Sequence, residues 1–401
     1  MTVMRSSPSG SSAAGCTPAA AVAPGNSGDG SVVRRLSTLD RYLPLWIFAA
    51  MALGLLLGRV YPGLGPWLDR VQVAGVSVPI GVGLLWMMYP VLAKVRYESI
   101  GEHAANTRLL GTSLVLNWVL GPVVMFALAW AFLPDLPHYR NGLILIGLAR
   151  CIAMVLIWNS LARGSSELAA VLVALNSIFQ ILTYSFLGWL FLTEVPSWFG
   201  AESAVVNVSM WAIAKSVLIF LGIPLVAGYL TRRVLVARRG EAWYTQTFMP
   251  RFGPTALLGL LYTIVLMFAM QGDRILALPL DVLRIALPMV VYFFVMFGLA
   301  FVISRRLGFD YPATASLSFT AAGNNFELAI AVAVATFGIA SGEALAAVIG
   351  PLIEVPVLVG LVYVSLWARR RYFPAAHGSA ELGKSDEAAV VAATATPLSR
   401  S

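Results

Sequence analysis

The chain has 401 residues, of which 59% are hydrophobic and only 11% charged, and its mean hydropathy is +0.82. Soluble domains carry about 25% charged residues, so this composition excludes a soluble globular protein and indicates an all-α polytopic membrane protein. The net charge of +8 does not point to nucleic acid, because the basic residues sit in short loops between apolar runs, where they set membrane orientation.

In chain order, residues 1–36 are rich in Ser, Gly, Ala and Pro and are expected to be a disordered cytoplasmic tail. A span needs about 20 apolar residues. On that basis ten spans are expected, near 43–61, 77–95, 109–133, 142–161, 168–192, 209–231, 252–271, 279–304, 312–338 and 343–367. The eighth is interrupted by Pro288 and the ninth by Gly323-Asn324-Asn325. Residues 37–373 thus form the transporter-like domain, and 374–401 a second disordered cytoplasmic tail. The two cysteines, Cys16 in a tail and Cys151 in a span, make no disulfide framework.

The loops are strongly asymmetric. Seventeen Lys and Arg residues, running from Arg34 through Lys94, Arg163 and Arg251 to Arg371, fall on one side. Only Arg59, Arg70, Arg140 and Arg274 fall on the other. The basic side is expected to be cytoplasmic, with both termini inside and the protein multi-pass in the cell membrane. Ten spans divide into two fives, about 43–192 and 209–367, and an odd number per half requires the halves to be inverted. Inverted repeats are common in secondary transporters, whose sites lie where broken helices meet near the midplane. Leu168-Ala169-Ala170-Val171 recurs as Leu345-Ala346-Ala347-Val348. That offset of 177 would place Arg150 opposite Glu327.

Three places in the spans carry chemistry. In span four, Arg150 and Cys151 lie side by side at bilayer depth, where a guanidinium costs roughly 2.5–3.5 kcal/mol on insertion scales and marks a bundle interior or a solute path. At helical spacing Gly147, Cys151, Met154, Val155 and Trp158 would share one face, with Arg150 about 100° away. A buried cysteine is commonly just a small hydrophobe, but a cation beside it suits the thiolate that binds soft metals. In span nine, Gly323-Asn324-Asn325 halfway along an apolar run predicts an unwound stretch and a new half-helix near Phe326, with Glu327 in its first turn. A midplane carboxylate is a proton relay, a counter-ion or a ligand group. In span ten, Glu354 stands between Pro351 and Pro356, where a structural pair and a direct role compete. Lys215 and Arg284 lie near helix ends and can snorkel; Asn117, Asn159, Asn176 and Gln180 are expected to hydrogen-bond between helices. His103, His138 and His377 lie in loops or a tail, which disfavours a zinc or copper site. No Walker motif is present, no nucleophile–base pair suggests an enzyme, and no cofactor is expected.

These residues resemble a known family. Arg150-Cys151-Ile152-Ala153-Met154-Val155 with Trp158-Asn159, and Ala169 through Ser177, are similar to the fourth- and fifth-span signatures of the arsenite efflux permeases. So are Asn324-Asn325-Phe326-Glu327-Leu328-Ala329 and Gly350-Pro351-Leu352-Ile353-Glu354-Val355-Pro356. The likeness runs from about Pro44 to Tyr372. It implies a fold of the bile-acid/sodium symporter superfamily, with two inverted five-helix repeats and broken crossing helices in spans four and nine. It implies Cys151 and Glu327 as the essential transport pair, Cys151 being the thiol ligand for As(III). Supporting roles would fall to Arg150, Asn176 and Glu354. From the residues themselves, the half-helix amides from Asn324 and Asn325 to Glu327 are expected to orient the oxygens of the solute. Two positions depart from the family: Ser160 stands where many relatives have Asp or Gln, and Gly323 replaces a more usual Ser.

The implied activity is secondary active export of trivalent arsenic as neutral As(OH)3, with antimonite as a second candidate, in exchange for H+ or alternatively Na+. Glu327 would carry the coupled proton and Arg150 would set its state. The rivals are a sodium-coupled organic-anion symporter of the same superfamily and a metalloid-responsive membrane sensor without flux, the latter disfavoured because neither tail looks like an output domain.

Overall fold

Apolar runs in a bilayer must pair their backbone groups internally, and the chain obeys this with helices almost throughout. The computed structural model describes residues 42–73, 76–96, 106–152, 154–200, 209–277, 279–339 and 341–373. The two expected tails, Cys16 and most of the N-terminal basic residues lie outside the described residues. The helices are α1 (Leu43–Val60), α2 (Leu64–Arg70), α3 (Val78–Ala93), α4 (Thr107–Phe132), α5 (Pro137–Leu148), α6 (Met154–Leu161), α7 (Ser166–Trp198) and α8 (Met210–Arg239). After a helical approach over 241–252 come α9 (Thr255–Ala277), α10 (Pro279–Arg306), α11 (Tyr311–Ala322), α12 (Phe326–Phe337) and α13 (Gly342–Tyr372). Among the described residues the chain also forms a two-residue antiparallel pair, β1 (Gln72–Val73) and β2 (Val76–Ser77), with Gln72 opposite Ser77.

Six of these segments are long and apolar enough to cross a membrane: α4, α7, α8, Glu241–Met270, α10 and α13. Helices α1, α3 and α12 are apolar but shorter. Large apolar side chains such as Leu45, Phe48, Leu182, Leu283 and Trp367 are left exposed on the outside, as lipid-facing positions must be. The chain is a multi-pass membrane protein.

Local chemistry explains the helix ends and irregularities. Asn106, Ser165, Asp310, Asn325 and Ser341 each accept a backbone N–H in the first turn of the helix they precede, caps worth about 1 kcal/mol apiece. Four π-helical turns, Leu116–Leu120, Leu190–Glu194, Leu218–Gly222 and Tyr244–Phe248, each end two residues before a proline: Pro122, Pro196, Pro224 and Pro250. Proline lacks the N–H and crowds the carbonyl four residues back, and the wider turn relieves both problems. Pro288, expected to interrupt its span, is carried inside the unbroken α10, and Pro351 and Pro356 inside the unbroken α13.

Helix α9 packs on α1 and α3, and α3 on α8. A second group packs α10 against α4, α11 and α13, and α13 against α5 and α12. Between the groups run two interrupted helices: α5 stops at Leu148 and α6 begins at Met154, while α11 stops at Ala322 and α12 begins at Phe326. The expected single helical face from Gly147 to Trp158 is therefore not formed, because the chain leaves the helix between them. Asn117 bonds within its own helix, to Ser113, rather than across helices. Arg284 does not simply snorkel. It makes a bidentate pair with Asp135 in the α4–α5 loop, and its donated hydrogen bonds hold the Asp135 carboxyl below its usual range.

Candidate functional site

The two interruptions cross one another, and their backbones pair. Arg150 and Asn324 form an antiparallel bridge; Cys151 N donates to Gly323 O at 3.3 Å, and Asn325 N donates to Ala149 O at 3.1 Å. Side chains satisfy groups the bridge leaves over. Asn324 Nδ2 donates to the carbonyls of Ile146 (2.8 Å) and Ala149 (3.2 Å), closing the end of α5. Asn325 Oδ1 accepts from Leu328 N at 3.0 Å, opening α12. Gln180 on α7 accepts from Arg150 N at 2.9 Å, and Glu354 on α13 accepts from Asn324 N at 3.4 Å. Unwound backbone at membrane depth survives only when served in this way.

The crossing brings two helix C-termini together on one side and places two helix N-termini on the other. Arg150, fully buried, belongs to the C-terminal side. Its guanidinium donates to the carbonyl of Gly147 in the last turn of α5, to Ala321 O (3.4 Å) in the last turn of α11, and to Tyr292 Oη (3.0 Å) on α10. A planar cation with several donors suits two converging carbonyl ends. Among the described residues, no carboxylate is within ion-pairing distance of it.

The N-terminal side opens into a cavity of about 380 Å³. Its polar lining is Cys151, Asn324, Glu327 and Glu354, with Lys94 at one end; Met87, Met154, Leu257 and Val355 are among the apolar walls. Cys151, Asn324 and Glu354 are almost wholly buried, and Glu327, in the first turn of α12, is half-buried. At Lys94 and Leu156 the cavity shares lining with a wider vestibule of about 720 Å³, rimmed by Arg96, Glu167, Arg232, Arg233 and Glu241. Arg96, Arg232 and Arg233 of that vestibule belong to the basic loops. Gly323 allows the close approach at the crossing: a Cβ there would stand 2.9 Å from Cys151 Cβ and 3.6 Å from its Sγ.

Of the residues singled out in the sequence, Cys151, Glu327, Asn324 and Glu354 meet at one cavity, and Asn325 caps the helix beneath it. Arg150 and Asn176 do not line it. Asn176 Oδ1 accepts from Trp118 Nε1 at 3.2 Å, in the contact between α4 and α7. Ser160 is exposed on α6 and Asn159 ties α6 to Ser316 of α11 at 2.8 Å. Gln180 was anticipated only as a generic interhelical bond, and no pattern in the sequence marks it as the acceptor at the first break. The offset of 177 is not the register of the crossing. The bridge pairs Arg150 with Asn324, 174 residues on, and α5 and α11 begin and end 174 residues apart. Glu327 is therefore not the counterpart of Arg150.

Comparison with known proteins places the chain in a family. Residues 81–278 match the Sodium Bile acid symporter family. The chain is 54% identical over 340 residues to Arsenical-resistance protein Acr3 of Corynebacterium glutamicum, covering 85% of this chain and 92% of that protein. It is 33% identical over 346 residues to Arsenical-resistance protein Acr3 of Alkaliphilus metalliredigens, covering 84% and 94%. An uncharacterized transporter of Synechocystis is 34% identical over 348 residues, covering 82% and 88%. The chain belongs to the arsenical-resistance permeases of the bile-acid/sodium symporter superfamily.

Proposed function

We propose that the protein exports trivalent arsenic from the cytoplasm by exchange for protons and so confers arsenic resistance. The observation that carries this reading is one thiol, Cys151, and two carboxylates, Glu327 and Glu354, lining a single cavity at the crossing of two interrupted helices. Its support from relatives is the identity to two proteins that bear the name arsenical-resistance protein. Arsenous acid is small, neutral and thiophilic. A thiol replaces one hydroxyl, forming an S–As bond and releasing water: Cys–SH and As(OH)3 give Cys–S–As(OH)2 and H2O. One thiol suffices to select the solute, whereas three would hold it too tightly for release, and transport requires weak enough binding to leave.

That exchange is proton-neutral, so coupling has to reside on the carboxylates. In this reading Glu327, in the first turn of α12, carries a proton inward as the solute leaves. The membrane orientation follows from the basic loops: both termini and the vestibule are cytoplasmic, and Cys151 receives the solute from inside. Ten crossings in two inverted five-helix halves fit the 174-residue offset shared by α5 and α11 and by the bridge. Arg150 and Asn176 act by holding the helices around the cavity rather than by touching the solute.

The match to the Sodium Bile acid symporter family keeps a sodium-coupled organic-anion symporter as the second reading. Everted vesicles decide between them. Arsenite accumulation driven by an imposed pH gradient, without sodium, is the expected result; sodium-dependent uptake of an organic anion with no arsenite movement would overturn it. Antimonite is expected to compete with arsenite, being equally thiophilic. Gly323 supplies a further check. Gly323→Ser places a side chain against Cys151, and overpacking of about 1–3 kcal/mol is expected to raise the arsenite concentration for half-maximal uptake about tenfold without removing the thiol.

A further inference from the structure

The two breaks are served by the same kind of contact in the same register. Gln180 Oε1 accepts the N–H of Arg150 and Glu354 Oε1 accepts the N–H of Asn324, each 30 residues further along the chain. Arg150 and Asn324 are themselves the bridged pair, and Gln180 and Glu354 share their 174-residue separation. The molecule thus contains its own control. Holding a backbone amide at a break requires one acceptor oxygen, and at the first break a neutral amide side chain supplies it. At the second break a carboxylate does the same task, although burying a carboxylate forfeits far more hydration than burying an amide. The charge at position 354 is not needed for the hydrogen bond. What distinguishes the two positions is the cavity: Glu354 lines it and Gln180 does not. The ionisable groups that share this cavity with Glu354 are Glu327 of α12, Cys151 of the first break and Lys94 beyond the end of α3.

We propose that Glu354 carries a second transported proton beside that of Glu327, so that two protons enter for each arsenous acid that leaves. This rests on the export reading above. Each proton binds a carboxylate from the outer side and is released to the vestibule, and since solute and Cys151 exchange only water, no other group has to gain or lose a proton. Gln180 is then a positioning residue that holds the Arg150–Cys151 backbone and takes no part in coupling.

The test uses the full chain in proteoliposomes with the membrane potential clamped at zero and a gradient of one pH unit. Two protons per solute give a steady-state arsenite ratio of about 100, and one proton gives about 10. The expected ratios are about 100 for the wild type and about 10 for Glu354→Gln, which keeps the acceptor oxygen and loses the charge. Gln180→Met, which loses the acceptor, is expected to slow the approach to steady state and leave the final ratio near 100. A wild-type ratio near 10 overturns the proposal, as does a ratio near 100 that persists in Glu354→Gln. Should Glu354→Gln fail to fold, the wild-type ratio decides alone, joined by the charge moved per arsenite under an imposed potential: two elementary charges are expected and one refutes. A wild type that builds no arsenite ratio at all overturns the export reading itself.

Discussion

Replacing Cys151 by alanine is expected to reduce arsenite accumulation in everted vesicles to the background of empty membranes, while the protein inserts at wild-type levels. The physical basis is that Cys151 is the one thiol among the described lining residues of the cavity, and a thioether such as that of Met87 or Met154 cannot exchange for a hydroxyl on trivalent arsenic. Without the sulfur, a neutral solute has only hydrogen bonds by which to be told from water. Insertion should survive because the substitution removes one buried sulfur atom, a loss of about 1 kcal/mol by analogy with small core truncations. Cys151→Ser is the sharper control, since it keeps the size and a hydroxyl yet cannot form an As–S bond. Its flux is expected to match that of the alanine variant. Arsenite accumulation that persists in either variant would remove Cys151 from the solute path.

Arg150→Leu is expected to have the second large effect, by a different route. The guanidinium bonds the carbonyl ends of both α5 and α11 and the hydroxyl of Tyr292, and hydrogen bonds to a charged group are worth about 1.5–3 kcal/mol each. Leucine would leave those carbonyls facing one another without a donor. A fall in thermal stability in detergent of about 3 kcal/mol or more and at least a tenfold loss of arsenite flux are expected together. Arg150→Lys keeps the charge but not the fork that spans two helix ends, and should fall between. The distinguishing measurement is paired: Cys151→Ala loses flux with a stability loss of only about 1 kcal/mol, whereas Arg150→Leu loses flux and about 3 kcal/mol or more. If Arg150→Leu melted like the wild type, the clamp described here would be wrong.

These two neighbours in sequence show how legibility divides. The break in the second interrupted helix could be read directly, because Gly323-Asn324-Asn325 combines poor helix formers with a strong cap, and Asn325 indeed caps α12. The break that follows Leu148 had no such mark. Ala149-Arg150-Cys151-Ile152 contains neither glycine nor proline, and it leaves the helix because the crossing chain offers its backbone a bridge. A local rule therefore laid Cys151 and Gly147 on one face of a continuous helix, where the molecule has none. Asn176 and Gln180 illustrate the same limit. They lie one helical turn apart on α7, and only the three-dimensional arrangement sends the first to Trp118 and the second to the Arg150 amide.

By itself the sequence determined what depends on composition and local chemistry: a membrane-embedded helical chain, the cap at the second break, and the identity of the thiol and carboxylates worth watching. It could not say that Arg150 turns away from Cys151, because two adjacent side chains on an unwound segment can face opposite sides of the crossing. Nor could it set the register of the crossing, since four matching small apolar residues carry less information than one backbone bridge. The tertiary structure decided those points, and the reason is the same in each. Buried polar groups must find partners at membrane depth, and the partners available at each break, Gln180 and Glu354 among them, come from elsewhere in the chain.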